Sequence, residues 1–268
     1  MPDTPAAALV PPPRAIVLAA GRGERMRPLS DHRPKPLLQV RGRALVEHHL
    51  AALARDGVTE VVVNTAWLEE QFPAALGDGR SLGLTALRYS HEGAAYGAAL
   101  ETAGGIATVL PWLAEGERPV FWAVSGDIWA PDYVFDAALA TRFAASELLA
   151  LLWLVDNPPY HPAGDFALGA PRPDLAPGAA LGRSGRAADA AATTTTAMTC
   201  LTYANLALMK PALFDGVAPG RRAPLGPLLH QAMAAGRIAV VRHDGRWANV
   251  GTPADLAALQ GPQAPPPG

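Results

Sequence analysis

Four short segments of this chain carry residue types that handle phosphate and divalent cations. The first is Leu18-Ala19-Ala20-Gly21-Arg22-Gly23-Glu24-Arg25-Met26-Arg27-Pro28-Leu29. Its glycines let the backbone approach a ligand closely, and consecutive N–H groups then form an anion nest. Arg22, Arg25 and Arg27 add positive charge. The second is Arg33-Pro34-Lys35-Pro36. Only two of the 22 basic residues are lysines, Lys35 and Lys210. The prolines on either side fix the local backbone and aim Lys35. A compact ammonium at a defined point suits a phosphate oxygen. The third is Val124-Ser125-Gly126-Asp127, a carboxylate just past an apolar run, placed to hold Mg²⁺ on a bound triphosphate. The fourth is Trp247-Ala248-Asn249-Val250-Gly251-Thr252-Pro253, in which Asn249 offers a neutral oxygen that hard cations accept. Each segment also has an ordinary reading: a strand-to-helix turn, a solvated lysine, a helix cap, a turn-forming asparagine.

Two common phosphate motifs do not fit. A dinucleotide fingerprint requires a third glycine where Met26 stands, and a P-loop requires Gly-Lys-Ser/Thr, a context neither lysine has. A formal Gly-x-Ser-x-Gly match, Gly79-Arg80-Ser81-Leu82-Gly83, raises a serine hydrolase as a rival. Its surroundings argue against it: a helix-ending Gly77-Asp78 precedes it and a strand-like run follows, the reverse of a nucleophile elbow.

The elements that must position these residues are legible as apolar runs. Short β-branched stretches at 16–18, 59–64, 84–89 and 119–124 read as buried strands, with further strands at 148–155 and 238–241. Leu45, Val46, His49, Leu50 and Leu53 fall at helical spacing, closed by Gly57. Helices are also expected over 67–76, 101–110 and 225–235, and from Pro253 onward. Strands alternating with helices predict an α/β fold, a mostly parallel sheet with helices on both faces. Residues 157–200, rich in Pro, Gly and Ala and carrying the run Thr193 to Thr196, read as loops and edge strands of the same sheet. No repeat and no linker is evident, so one domain over 14–260 is expected. Proline-rich tails, 1–13 and 261–268, are expected to be disordered.

Composition narrows the class. The chain has 268 residues, half of them hydrophobic and 17 % charged, which excludes a disordered or collagen-like protein. A formal net charge of −2 supplies no bulk positive field for nucleic acid or an anionic membrane. The single cysteine, Cys200, forbids an internal disulfide and a zinc site built on cysteine pairs. No run is apolar and long enough for a transmembrane helix, and Asp3 with the early prolines argues against a signal peptide. A soluble cytoplasmic protein is expected, with no preference legible for an oligomeric state.

Taken together, the four segments resemble the signature of the sugar-phosphate nucleotidyltransferases: a strand, a G-x-G-x-R-x-x-P-L loop, a P-K-P segment, a G-D segment and a late W-x-(D/N)-V-G-T-P segment. Their order and spacing cover residues 15–260. Within that family the segments Leu100-Glu101-Thr102-Ala103-Gly104-Gly105-Ile106 and His161-Pro162-Ala163-Gly164-Asp165-Phe166 are most similar to those of the N-acetylmuramate-1-phosphate uridylyltransferases of cell-wall sugar recycling.

The resemblance implies a Rossmann-like nucleotidyltransferase fold with one active-site cleft, and transfer of a nucleotidyl group from a nucleoside triphosphate, UTP by preference, to a sugar-1-phosphate, with release of pyrophosphate and with Mg²⁺ as cofactor. It implies Arg25 and Lys35 as catalytic residues. Ala19, Ala20, Gly21, Gly23, Leu100, Thr102 and Gly105 would bind the nucleotide, and Gly164, Asp165 and Asn205 the sugar. Asp127 and Asn249 would hold the metal. Two departures stand out. Many relatives carry Asp where Asn249 stands, and the G-G-G of relatives reads Ala103-Gly104-Gly105. A glucose- or mannose-type acceptor and a non-catalytic nucleotide-sugar sensor remain alternatives.

Overall fold

The computed structural model describes residues 11–184 and 200–261. Most of both tails and the run Thr193 to Thr196 lie outside the described residues. The chain opens on β1 (Arg14–Leu18) and passes through a one-turn 3-10 helix (Glu24–Met26), α1 (Leu29–His32) and a second 3-10 turn (Lys35–Leu37). A small hairpin, β2 (Gln39–Val40) and β3 (Arg43–Ala44), leads into α2 (Leu45–Arg55). Then come β4 (Glu60–Thr65), α3 (Gln71–Leu76), β5 (Ala86–His91), α4 (Glu92–Tyr96), α5 (Glu101–Leu113), β6 (Phe121–Ser125), β7 (Ile128–Trp129) and α6 (Ala137–Ala145). The second half holds β8 (Ala150–Val155), β9 (Phe166–Pro171), β10 (Ala180–Ser184), β11 (Cys200–Met209), α7 (Leu225–Ala234), β12 (Ile238–Arg242), β13 (Ala248–Asn249) and α8 (Pro253–Gln260).

Nine strands form one sheet in the order β5-β4-β1-β6-β11-β8-β12-β10-β9. Successive side chains point to opposite faces, and the sequence uses both. Ala15, Val17, Val61, Val63, Trp122 and Val124 pack with Val46, Leu50 and Leu53 of α2 and Phe143 of α6. Ile16, Val62, Phe121 and Ala123 pack on the other face with Ala103 and Ile106 of α5 and Leu229 and Met233 of α7. That is why the strands read as continuous apolar runs rather than as alternation.

The block β5-β4-β1-β6 is parallel, as is the pair β8 and β12. The sheet as a whole is mixed, because β11 runs antiparallel between β6 and β8. The periodicity did not mark β11. Both its faces are largely covered, and its register shifts between Tyr203 and Ala207, where Asn205 takes φ 59°. An irregularity of this kind erases the two-residue alternation on which strand assignment depends. Helix α6 was also unmarked. It is alanine-rich and starts from an Asp136 carboxylate that accepts from Ala138 N and Leu139 N. Strands β9 and β10, from the Pro- and Gly-rich region, join the same sheet, but not as open edges: β10 lies between β12 and β9, and β9 also pairs with β11.

The chain leaves β1 toward β4 and β5, then returns to place β6 on the other side of β1. The order therefore reverses between β1 and β6, with Leu18 opposite both Asn64 and Ser125. Such a switch point opens a crevice at the carboxyl ends of the strands. A third, small apolar cluster of Met26, Leu38, Val40, Leu45, Trp129, Val250 and Leu259 lies under the glycine loop. It ties α8 and the late Asn249 segment to the first 45 residues.

Candidate active site

At the switch point lies a cavity of 330 Å³ lined by Leu18 to Gly21, Gly23, Lys35, Pro36, Asn64, Ala99, Glu101, Thr102, Ser125, Asp127 and Arg222. A larger cavity of 900 Å³ adjoins it and shares Leu18, Glu101, Thr102 and Ser125. Tyr160, His161, Gly164, Asp165, Asn205, His230, Arg25 and Asn249 are among its walls.

The glycine loop is shaped for close approach. Gly23 has φ 66°, a conformation that disfavours any side chain, and a Cβ there would sit 3.0 Å from Cβ of Lys35. A Cβ on Gly21 would meet nothing within 4 Å, so that glycine faces open space. Lys35 starts its 3-10 turn directly after Pro34 and is only 6 % exposed. Its Nζ donates to Asp127 Oδ2 at 2.8 Å, and Asp127 Oδ1 accepts from the Ser125 hydroxyl at 2.7 Å. Burial acts to raise the Asp127 carboxyl, but the Lys35 ammonium and these hydrogen bonds hold it below its ordinary value.

Asn249 is brought beside Asp127 by the short pairing of β13 with β7, in which Asn249 faces Ile128 and Val250 N donates to Asp127 O at 3.0 Å. Its Oδ1 is buried and has no hydrogen-bond partner. A buried acceptor without a donor is uncommon and asks for an occupant. An oxygen of this kind next to a carboxylate fits a hard cation. Among the described residues no group of three or more His, Cys, Asp or Glu could hold a metal. The two oxygens fit a cation such as Mg²⁺, which completes its shell with water and phosphate rather than with a full protein cage.

Arg25 lies at the larger cavity, near Gly251, whereas Arg22 stacks over Trp67 at 3.8 Å and Arg27 pairs with Asp31. Asp165 is held on both oxygens, by His161 Nε2 at 3.0 Å and by Tyr203 N at 2.8 Å. Gly164 turns with φ 63° close against the Cys200 carbonyl. Burial raises the Tyr160 phenol, opposed by the neighbouring Asn249 amide and by the charge of Arg25.

Most of the residues expected from sequence are thus gathered at the two cavities. Leu100 and Gly105 are not among their linings. Leu100 is buried behind the wall, and Gly105 makes room for Glu92 and Asn64. Ala103 is fully buried in the apolar layer under α5, so its extra methyl faces the core. The Gly79 to Gly83 match forms a 3-10 turn between α3 and β5, with no strand before it, and no nucleophile elbow exists there. Reasoning from sequence missed Asn64, Ser125, Glu101 and Arg222. Glu101 sits at φ 59° and pairs with Arg222 at 2.7 Å across the smaller cavity. A strained non-glycine residue leaves no local mark in a sequence, although strain of this kind gathers at functional sites.

Comparison with known proteins bears on this geometry. Residues 14–163 match the family described as nucleotidyl transferase. An N-acetylmuramate alpha-1-phosphate uridylyltransferase of Neisseria meningitidis is 41 % identical over 92 % of this chain and 96 % of its own. The chain belongs to the nucleotidyl transferase family. A second uridylyltransferase of the same description, from Caulobacter vibrioides, is 35 % identical to this nucleotidyl transferase over 92 % of the chain and 96 % of its own. Its fold is shared with a Bacillus anthracis protein assigned as a glucose-1-phosphate thymidylyltransferase. That structure has a TM-score of 0.67 at 16 % identity and covers 92 % of this chain and 93 % of its own.

Proposed function

We propose that this nucleotidyl transferase takes UTP and N-acetylmuramate 1-phosphate to the UDP-sugar and pyrophosphate, in the cytoplasm, in the recycling of cell-wall sugar. Two relatives named for that reaction align over nine-tenths of the chain. The observation that carries the reading is the junction of the glycine loop, the Lys35–Asp127 pair at 2.8 Å and the unpartnered Asn249 oxygen at one switch point.

The reaction is an in-line displacement. A phosphate oxygen of the sugar-1-phosphate attacks the α-phosphorus, and the bond to the pyrophosphate oxygen breaks. The attacking group is already anionic at neutral pH, since a phosphate monoester has a second pKa of about 6, so no protein base is required. The barrier lies in bringing polyanions together, and catalysis is positioning plus charge neutralisation. The loop from Ala19 to Gly23 holds the triphosphate through the backbone N–H groups beyond Ala19, whose own N–H is given to Asn64. Lys35 draws the attacking phosphate and the α-phosphate together. Arg25 offsets charge on the departing pyrophosphate. Asp127 and Asn249 would hold Mg²⁺, which when bound neutralises phosphate oxygens. The larger cavity, with Gly164, Asp165 and Asn205, receives the sugar.

The test is a panel of four nucleoside triphosphates against N-acetylmuramate, N-acetylglucosamine, glucose and mannose 1-phosphates, scored by pyrophosphate release. Turnover that peaks with UTP and the muramate ester supports the proposal. A peak with another pair reassigns the substrate. Tight UTP binding without turnover of any acceptor would make the protein a sensor.

A further inference from the structure

A buried chain of hydrogen bonds runs behind the smaller cavity and touches both of its walls. Ala19 N, in the glycine loop, donates to Asn64 Oδ1 at 2.9 Å. Asn64 Nδ2 donates to Glu92 Oε1 at 2.7 Å. The other oxygen of Glu92 accepts from Leu100 N at 2.7 Å, and Leu100 lies between Ala99 and Glu101, which line the opposite wall. Asn64 is 2 % exposed and Glu92 is fully buried. The packing is built around them. A Cβ on Gly105 would come within 2.5 Å of Glu92 Oε1 and 2.7 Å of Asn64 Nδ2.

The chain has a polarity, and the carboxylate sets it. Leu100 N can only donate, so the Glu92 oxygen facing it must accept. Burial raises the Glu92 carboxyl, and the hydrogen bonds from Leu100 N and Asn64 act the other way, to favour the ionised form; both oxygens of that carboxylate accept, so Asn64 turns its NH₂ toward Glu92 and its carbonyl oxygen toward Ala19 N. A neutral amide at position 92 breaks this order. Its NH₂ would face either Leu100 N or Asn64 Nδ2, leaving two donors opposed in a buried place. We propose that Glu92, through Asn64, is the positioning residue that fixes the separation of the two walls of the nucleotide cavity, and so sets affinity for the nucleotide without touching it. The inference rests on the reading that the nucleotide occupies this cavity.

The polarity supplies its own test. Glu92→Gln should raise the KM for UTP on the order of tenfold, by the energy of an unsatisfied buried donor. Asn64→Asp sets two carboxylates face to face and should do the same. In the double variant every bond can form again. The carboxylate introduced at position 64 accepts from Ala19 N and from the amide NH₂ introduced at position 92, and the carbonyl of that same amide accepts from Leu100 N. Asn64 itself lines the cavity, so the double variant should recover most of the UTP affinity lost in either single variant rather than all of it. The KM for the sugar-1-phosphate should move much less than that for UTP, because Ala19, Asn64 and Ala99 line the smaller cavity alone while only Leu18, Glu101, Thr102 and Ser125 border both. UTP binding by calorimetry, without acceptor, should show the same loss and rescue. The inference is overturned if the single variants leave UTP affinity unchanged, if they shift both substrates equally, or if the double variant fails to recover. Single variants too unstable to assay leave the rescue in the double variant to decide. A wild-type protein that binds no nucleotide would overturn the functional reading itself, and this inference with it.

Discussion

Lys35 is buried with its ammonium against Asp127, whose side chain keeps about a third of its surface open toward the cavity. Lys35→Ala removes the ammonium proposed to draw two phosphates together. Turnover should fall by about 10²–10³, the scale of one preorganised charge contact, with the far-ultraviolet spectrum unchanged. Lys35→Arg should not restore it, because a planar guanidinium cannot reproduce a compact point charge held against Gly23. A folded alanine variant with an undiminished rate would remove Lys35 from the chemistry. Asn249→Asp tests the neighbouring oxygen. The side chains are nearly isosteric, and a second carboxylate beside Asp127 should strengthen divalent-cation binding. A Mg²⁺ titration followed by calorimetry and by rate would show it. Unchanged or weaker binding in the aspartate form would return Asn249 to the role of a turn residue.

Helix α2 and strand β7, next to Asp127 and Asn249, are joined by one buried imidazole. His49, 3 % exposed, meets the Ile128 carbonyl at 2.8 Å through Nε2, one residue beyond Asp127. Burial lowers its pKa to about 4, against the raising effect of Ile128 and of Asp127 and with a small lowering by His48. The unfolded chain, with an ordinary histidine near 6.5, takes up the proton first. The stability from burying His49 neutral is therefore complete above about pH 6.5 and is lost as pH falls toward 4. Between pH 7 and pH 5 the loss should be about 2 kcal/mol. Urea unfolding at the two pH values should show this steepness, and His49→Gln should flatten it. Equal slopes for both proteins would place the acid sensitivity elsewhere.

At the scale of the molecule, β11 joins the two halves of the sheet. It pairs with β6 of the parallel block and with β8 of the second half, so the smaller and the larger cavity share one frame. Leu208, fully buried between Trp122 and Leu151 in register, lies at this seam. Leu208→Ala should lower stability by about 2–5 kcal/mol, the range for emptying a buried leucine site. Denaturant unfolding should remain a single transition, since both halves draw on the same core layers. Substrate KM values at a temperature well below the transition should not move. Two separate transitions would mean that the halves unfold independently.

What the sequence determined by itself was local. Gly21, Gly23, Lys35 between its prolines, Asp127 after its strand and Asn249 before Pro253 are each marked by backbone chemistry within a few residues. Their order along the chain carried the family and the parallel half of the sheet. The tertiary structure decided what depends on distant partners. Asn64 and Glu92 look like an ordinary strand end and helix start until packing buries them against Ala19 and Leu100. The resemblance assigns Leu100 and Gly105 to the nucleotide pocket, and packing sets Leu100 among buried residues and Gly105 against Glu92 and Asn64. Strand β11 was hidden because burial on both faces and the irregularity at Asn205 remove the alternation that exposes a strand. The Lys35–Asp127 pair spans 92 residues of chain, and a contact of that reach exists only once β1 and β6 lie side by side and bring their carboxyl ends to one crevice.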